Sequence, residues 1–220
     1  MEQGLYAQAE AYMKKCLKDS AHDWEHIYRV LYQALAIGQQ EKEVDFDVLI
    51  LACLLHDMGR EKELQNPSIC HAAAGAEMAY DFLIQAGICM KTAESVRDCI
   101  RTHRYRSGNP PESLEAKILF DADKLEAAGT LGIARTLLYQ GERRQTVYVL
   151  KQPGQWNGEE SMEPAASFWT EYNRKLKHLY GNFLHFPPKR LHKNAGNRRS
   201  ASFPVSGRKS KKAIKTEAGY

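Results

Sequence analysis

The sequence predicts an all-α protein, a compact multi-helix bundle followed by a basic, disordered tail. Apolar residues recur at a helical period in successive segments. The stretch 47–60 is apolar almost all round before it ends, which is typical of a central buried helix. The best strand candidate, TVYVLK at 146–151, has no second strand to pair with. We therefore expect one helical domain over residues 1–186 and a tail over 187–220.

Seven helices are predicted within the domain. They cover approximately residues 4–18, 23–40, 48–55, 71–86, 91–104, 114–140 and 162–184. Asp45 or Asp47 is placed to cap the central helix. The segment 60–70 is polar and contains a proline, so it is predicted to be a loop, and SGNPP at 107–111 is a break.

The positive charge is concentrated in the tail. Residues 189–220 carry ten Lys or Arg side chains and one acid, Glu217, whereas residues 1–188 carry 21 basic and 26 acidic side chains. The tail is too poor in apolar residues to fold alone, and contact with nucleic acid is the alternative interpretation of its charge.

Composition also indicates the cellular compartment and argues against a membrane or secreted protein. No apolar run approaches the roughly 20 residues that span a bilayer, and the polar N-terminus does not resemble a secretory signal. An odd set of cysteines without a CxxC pair favours reduced thiols in a cytoplasmic protein. These cysteines are Cys16, Cys53, Cys70, Cys89 and Cys99.

Two polar side chains follow directly on the apolar run of the predicted central helix. The apolar run from Val48 to Leu55 is followed at once by His56 and Asp57, with Gly59 just beyond. Burying an imidazole beside a carboxylate is costly unless both are compensated. A divalent cation would compensate both groups.

Other predicted helices carry polar side chains on their inward faces or at their ends. These side chains are His22, His26, His71, His103, Asp121 and Asp123. Any one of them alone is most often a hydrogen-bonded core residue. Several on separate helices stabilise one another poorly without a cation, and a divalent ion accepts both nitrogen and oxygen ligands. Helical geometry does not choose between Asp121 and Asp123.

Three sequence words resemble the HD-domain superfamily of metal-dependent phosphohydrolases. They are HDWEHIYRV (22–30), LACLLHDMGR (51–60) and FDADKLEAAGTLGIART (120–136). Within the superfamily they are similar to small bacterial hydrolases of the nucleotide pyrophosphohydrolase type. The resemblance covers roughly residues 20–140 and implies a phosphorylated small-molecule substrate, a divalent cation (Mn, Mg, Co or Ni) and a fold compatible with a homodimer.

The resemblance also implies roles for individual residues. His26, His56, Asp57 and Asp123 would be the metal ligands, and Asp121 would be a neighbouring carboxylate that orients an imidazole. Asp57 or Asp121 would accept the proton of the attacking water. The cations that would face the phosphate are Arg29, which we favour, Lys124, Arg60 and Arg104.

His71 and His103 leave two interpretations open. They resemble the additional histidines of HD proteins that hold two metals, where Asp57 would bridge the ions. With one metal they would instead line the substrate pocket. Taken together with the four ligands His26, His56, Asp57 and Asp123, they form a six-residue set that also resembles the site of HD-fold di-iron oxygenases, in which the metal would be Fe. A non-catalytic protein that binds nucleotides, or nucleic acid through its tail, is the remaining alternative.

Overall fold

Helices make up nearly all of the regular structure. The computed structural model describes residues 3–17, 24–104, 108–149, 167–181, 183 and 184. The helices are α1 (Gln3–Cys16), α2 (Trp24–Gly38), α3 (Phe46–Leu55), α4 (Arg60–Gln65), α5 (His71–Gln85), α6 (Met90–Thr102), α7 (Leu114–Ala127), α8 (Thr130–Glu142), α9 (Phe168–Arg174) and a 3₁₀ helix (Leu176–Gly181). Within these ranges the only β-type pairing is an isolated bridge between Thr146 and Ser167. The predicted all-α class is confirmed.

The central helix α3 is buried as its sequence predicts. Of the two candidate caps, Asp45 is the N-cap, and its carboxylate accepts from the amides of Asp47 and Val48 at 3.0 and 3.1 Å. α3 contacts α1, α2, α6 and α7, while α2 packs on α7 and α5 packs on α6. Because α3 is surrounded, its C-terminal end at His56 opens into the interior of the bundle.

The segment predicted as a loop at 60–70 contains helix α4, so that prediction was wrong in its first half. Residues 60–65, REKELQ, are nearly all strong helix formers, and α4 packs on α5. Their polarity obscured the helix, because one turn and a half is too short to show an apolar stripe.

The long helix predicted over 114–140 is two helices. α7 ends at Ala127, and Gly129 is the extended N-cap from which α8 starts. Glycine inside a helix costs roughly 1 kcal/mol relative to alanine, which favours a break here. The new direction of α8 carries Arg135 back to α7, where its guanidinium pairs with Glu126.

The last predicted helix, 162–184, is described in part. It consists of α9 and the 3₁₀ helix, separated at Lys175. Residues 162–166, 182 and 150–151 lie outside the described residues, as do His22 and the tail 187–220. Among the described residues no helix is long and apolar enough to cross a membrane.

The turn after α3 presses against the start of α5. A methyl group on Gly59 would lie 2.2 Å from the carbonyl oxygen of His71 and 2.7 Å from the amide nitrogen of Gly75. A methyl on Gly75 would lie 3.3 Å from the carbonyl oxygen of His56. Backbone therefore meets backbone at this contact, which joins the segment of His56 and Asp57 to the segment of His71.

Candidate metal centre

His56 and Asp57 are completely buried where α3 ends. The Nδ1–H of His56 donates to the carbonyl oxygen of Cys53 at 2.8 Å, one turn back in the same helix. This leaves Nε2 as the ring nitrogen with a lone pair. Nε2 of His56 and Oδ2 of Asp57 have no hydrogen-bond partner among the described residues.

Four side chains from α2, the end of α3 and α7 bring one donor atom each to a common point. Nε2 of His26 lies 3.7 Å from Oδ2 of Asp57 and 3.5 Å from Oδ1 of Asp123. Nε2 of His56 lies 3.7 Å from Oδ2 of Asp57 and 4.0 Å from Oδ1 of Asp123. Ligand atoms about 2.0–2.2 Å from one ion are themselves roughly 3–3.5 Å apart, so this spacing is close to that of a coordination shell.

Two more histidines face the other oxygen of Asp57. Nε2 of His71 and Nε2 of His103 each lie 3.6 Å from Oδ1. The Nδ1–H of His103 donates to the carbonyl oxygen of Ile100 at 2.6 Å. This side differs from the first because Arg60 donates its Nε–H to the same Oδ1 at 2.9 Å.

These groups fit a divalent cation. The buried Nε2 atoms of His56, His71 and His103 and Oδ2 of Asp57 lack hydrogen-bond partners in the described part of the chain. A buried polar atom without a partner costs about 1–3 kcal/mol. Neutral imidazoles and carboxylates are the donors that first-row divalent metals accept, and such an ion would satisfy several of these atoms together.

The protonation states agree with a ligand role. Burial lowers the pKa of His56 to about 4 and that of His71 to about 3, so both rings are neutral near pH 7. Burial opposes ionisation of Asp123, but the imidazoles of His26 and His56 outweigh it and lower the pKa of Asp123 to about 2. Asp57 has a pKa well below its ordinary value, since Arg60 and His56 outweigh the same burial effect.

Two further carboxylates, those of Glu126 and Glu63, lie beside Nδ1 of a site histidine, the ring nitrogen that does not face Asp57. Sequence reasoning missed both. Oε2 of Glu126 lies 3.2 Å from Nδ1 of His26. Glu63 of α4 accepts from Nδ1–H of His71 at 2.7 Å. Asp121 is buried and accepts the backbone amide of Leu184 at 2.9 Å, and its predicted orienting role stays a prediction.

A cleft opens beside the histidines and contains most of the predicted phosphate contacts. Its lining residues are Arg60, His71, His103, Arg104, Asp123, Lys124, Ala127, Lys175 and Leu179. Burial lowers the pKa of Lys124, which lies over the ring of Phe120, to about 7. Arg29, the favoured phosphate contact, donates its Nε–H to Glu126 at 2.8 Å, and its role at the phosphate stays a prediction. Lys175, between α9 and the 3₁₀ helix, was not predicted, because this segment carries no motif.

Comparison with known sequences identifies the family. The model of the HD domain family matches residues 23–128. The chain is 31% identical over 147 residues to the uncharacterized protein YpgQ of Bacillus subtilis, an alignment that covers 64% of this chain and 69% of YpgQ.

Solved structures with the same fold include three bacterial proteins. YpgQ in complex with ADP superposes with a TM-score of 0.62 at 25% identity, covering 86% of this chain and 88% of YpgQ. An HD-superfamily hydrolase from Bacillus thuringiensis gives 0.60 at 26% identity, with 88% and 90% covered. A protein from Lactobacillus plantarum gives 0.69 at 21% identity, with 88% and 91% covered, and shows the likeness of fold alone.

The chain belongs to the HD-domain family. Its fold and the HD-superfamily hydrolases among its structural neighbours support a metal-dependent phosphohydrolase in general terms. This agrees with the family predicted from the three sequence words.

Proposed function

We propose that the protein hydrolyses a phosphoester or phosphoanhydride bond of a nucleotide with the help of a divalent cation held by His26, His56, Asp57 and Asp123. The observation that carries the proposal is the convergence of four donor atoms with cross-distances of 3.5–4.0 Å in a buried site. Asp123 is the ligand whose side chain is 26% exposed, on the side of the cleft, so substrate would approach past it.

The metal ion and the side chains of the site would have different roles in the reaction. A divalent ion, when bound, supplies an activated water and polarises a phosphoryl oxygen. One oxygen of Asp57 faces His56 in the proposed metal site, and the other faces His103, which lines the cleft. Asp57 is therefore our candidate for accepting the proton of that water. Asp121 is less suited, because its buried carboxylate is engaged with the amide of Leu184.

The cleft supports a substrate rich in negative charge. The guanidinium groups of Arg60 and Arg104 and the amines of Lys124 and Lys175 line it. Cations held in place before the reaction stabilise charge that develops on phosphorus. The relative YpgQ was crystallised with ADP, which supports a nucleotide rather than another phosphorylated compound.

The test is hydrolysis by the purified chain of nucleoside mono-, di- and triphosphates with Mn²⁺ or Mg²⁺, with products resolved by ³¹P NMR. We expect a triphosphate to yield monophosphate and pyrophosphate, and His56→Ala to yield no product. His178→Ala, at an exposed histidine of the 3₁₀ helix, is the matched control and should retain activity. A metal-loaded wild-type chain that cleaves no nucleotide overturns the proposal.

A second candidate rests on the four histidines that surround the carboxylate of Asp57. Each carboxylate oxygen of Asp57 lies 3.6–3.7 Å from the nitrogens of its own pair of histidines. This arrangement can also bind two irons in an oxygenase. Iron at two equivalents per chain, together with oxygen consumption, would establish that function. Nucleotide hydrolysis with a single equivalent of metal would exclude it.

A further inference from the structure

Glu126 lies behind the ligand set rather than within it. It is placed near the end of α7, three residues after Asp123, and its side chain is 1% exposed. Residues three apart lie on one side of a helix, so the turn that carries Asp123 also carries Glu126 toward α2. There Oε2 lies 3.2 Å from Nδ1 of His26, the ring nitrogen opposite the Nε2 that faces Asp57.

Two arginines from different helices hold this carboxylate. Arg29 of α2 donates Nε–H to Oε1 at 2.8 Å, and Arg135 of α8 donates to Oε2. A buried carboxylate needs such partners, because an uncompensated charge in the interior is strongly destabilising. Arg135 belongs to α8 and lies beyond residues 23–128, which the HD family model matches, but within the motif at 120–136.

The two imidazoles of the proposed metal site are therefore held in different ways. His56 donates to a carbonyl of its own helix, an arrangement fixed by the geometry of that helix. His26 faces a carboxylate that comes from another helix and is itself positioned by two guanidinium groups. A carboxylate at the second ring nitrogen fixes the tautomer and the ring orientation and makes the imidazole a stronger donor.

We infer that Glu126 is the positioning residue for His26, and that Arg29 and Arg135 fix the carboxylate in place, so that the affinity of the metal site depends on α8. The inference rests on the proposed function, since it concerns the same metal site. It assigns Arg29 a structural task besides the phosphate contact predicted from the sequence.

The experiment is calorimetric titration of Mn²⁺ into the full chain after chelation, for wild type, Glu126→Gln and the control Glu77→Gln. Glu77 is an exposed carboxylate that pairs with Arg101 on the protein surface, so its loss matches the change in charge without touching the site. We expect Glu126→Gln to weaken Mn²⁺ binding by about 10- to 100-fold and Glu77→Gln to leave it unchanged.

The outcomes separate this inference from the proposed function. A wild-type chain that binds no Mn²⁺ overturns the proposed function itself, whereas unchanged affinity in Glu126→Gln overturns only the role of Glu126. Lower thermal stability of the metal-free variant with wild-type affinity would also overturn it, since that is what a purely structural carboxylate would give. If Glu126→Gln does not fold, Arg135→Met carries the same test against Arg101→Met, and unchanged affinity there overturns the inference.

Discussion

The two oxygens of Asp57 face two different environments. Around Oδ2 lie the imidazoles of His26 and His56, and each of these rings also lies within 4.0 Å of a carboxylate oxygen of Asp123. Around Oδ1 lie two similar imidazoles, but a guanidinium is already bound to that oxygen at 2.9 Å. One carboxylate therefore presents one oxygen that suits a cation and one that already has a cationic partner.

The difference teaches why counting histidines does not give the number of metals. A cation is repelled by a neighbouring positive charge, and Arg60 occupies one of the directions from which a second ion would approach Oδ1. Glu63 lies 3.5 Å from the guanidinium of Arg60, which helps to keep Arg60 beside Oδ1. We therefore expect one metal ion per chain, on the Oδ2 side, with His71 and His103 lining the cleft.

The largest expected effect separates the two sides directly. His56→Ala should abolish both metal binding and nucleotide hydrolysis, because it removes a donor atom on the Oδ2 side. His71→Ala should still bind one equivalent of Mn²⁺, measured by elemental analysis after gel filtration. A fall from two equivalents to one in His71→Ala would show instead that both oxygens of Asp57 hold metal.

A change at Arg60 should reduce the contrast between the sides. Arg60→Met removes the guanidinium, so Oδ1 of Asp57 becomes available to a cation together with His71 and His103. We expect nucleotide hydrolysis to fall by about 10- to 100-fold, because a cleft cation is lost, and a second, weaker Mn²⁺ equivalent to bind. Arg101→Met, at an exposed surface ion pair, serves as the control. If Arg60→Met hydrolysed nucleotides at the wild-type rate and bound the same number of Mn²⁺ ions, Arg60 would not be what distinguishes the two oxygens of Asp57.

Acid should destabilise the metal-free chain through the histidines on both sides of Asp57. The folded-state pKa values of His56 and His71, about 4 and 3, lie below the ordinary value of 6.5, so the unfolded state binds protons more readily. Stability is then complete above pH 6.5 and falls as the pH drops toward 4, by roughly 3 kcal/mol from His56 alone. Urea unfolding in EDTA at several pH values measures this loss, and a flat profile between pH 6.5 and 4.5 would contradict it.

The smallest expected effect concerns the reactivity of the thiols. No disulfide joins the five cysteines, as predicted. Burial raises the pKa of Cys53 and raises that of Cys99 to about 12, whereas Cys89 is exposed and its hydrogen bond with Thr92 lowers its pKa. We expect iodoacetamide to label Cys89 well before the two buried thiols, with no loss of hydrolysis. Mass spectrometry of the labelled peptides checks the order.

Much of the site could be predicted because its residues are unusual in their positions. A histidine and an aspartate at the end of an apolar helix conflict with ordinary burial, and the conflict is visible in the sequence. His26 and Asp123 became visible through the family motif, since spacing alone did not separate Asp123 from Asp121.

The residues that support the ligands could not be predicted in the same way. Glu126 and Glu63 are glutamates on helices, where glutamate is common, and although Glu126 lies within the motif at 120–136, the resemblance gave it no role. The available signal for Glu126 was its spacing of three from Asp123, which places both on one side of the helix. Arg135 depends on the break at Gly129, because a continuous helix would have directed it elsewhere. The tail and the domain boundary at 186 stay predictions, since the described residues do not include them.

The contact between Gly59 and Gly75 restricts how the cleft beside the histidines can vary in shape. With no side chain on either glycine, the turn after Asp57 and the start of α5 are already as close as two backbones allow. Any added carbon there would push His71 away from His56, so that wall of the cleft has no freedom to vary. The cleft is also lined by Lys124 on α7 and by Lys175 and Leu179 near the C-terminal end of the described chain. Selection for a larger or smaller substrate would therefore act on those residues, while the histidine wall keeps its dimensions.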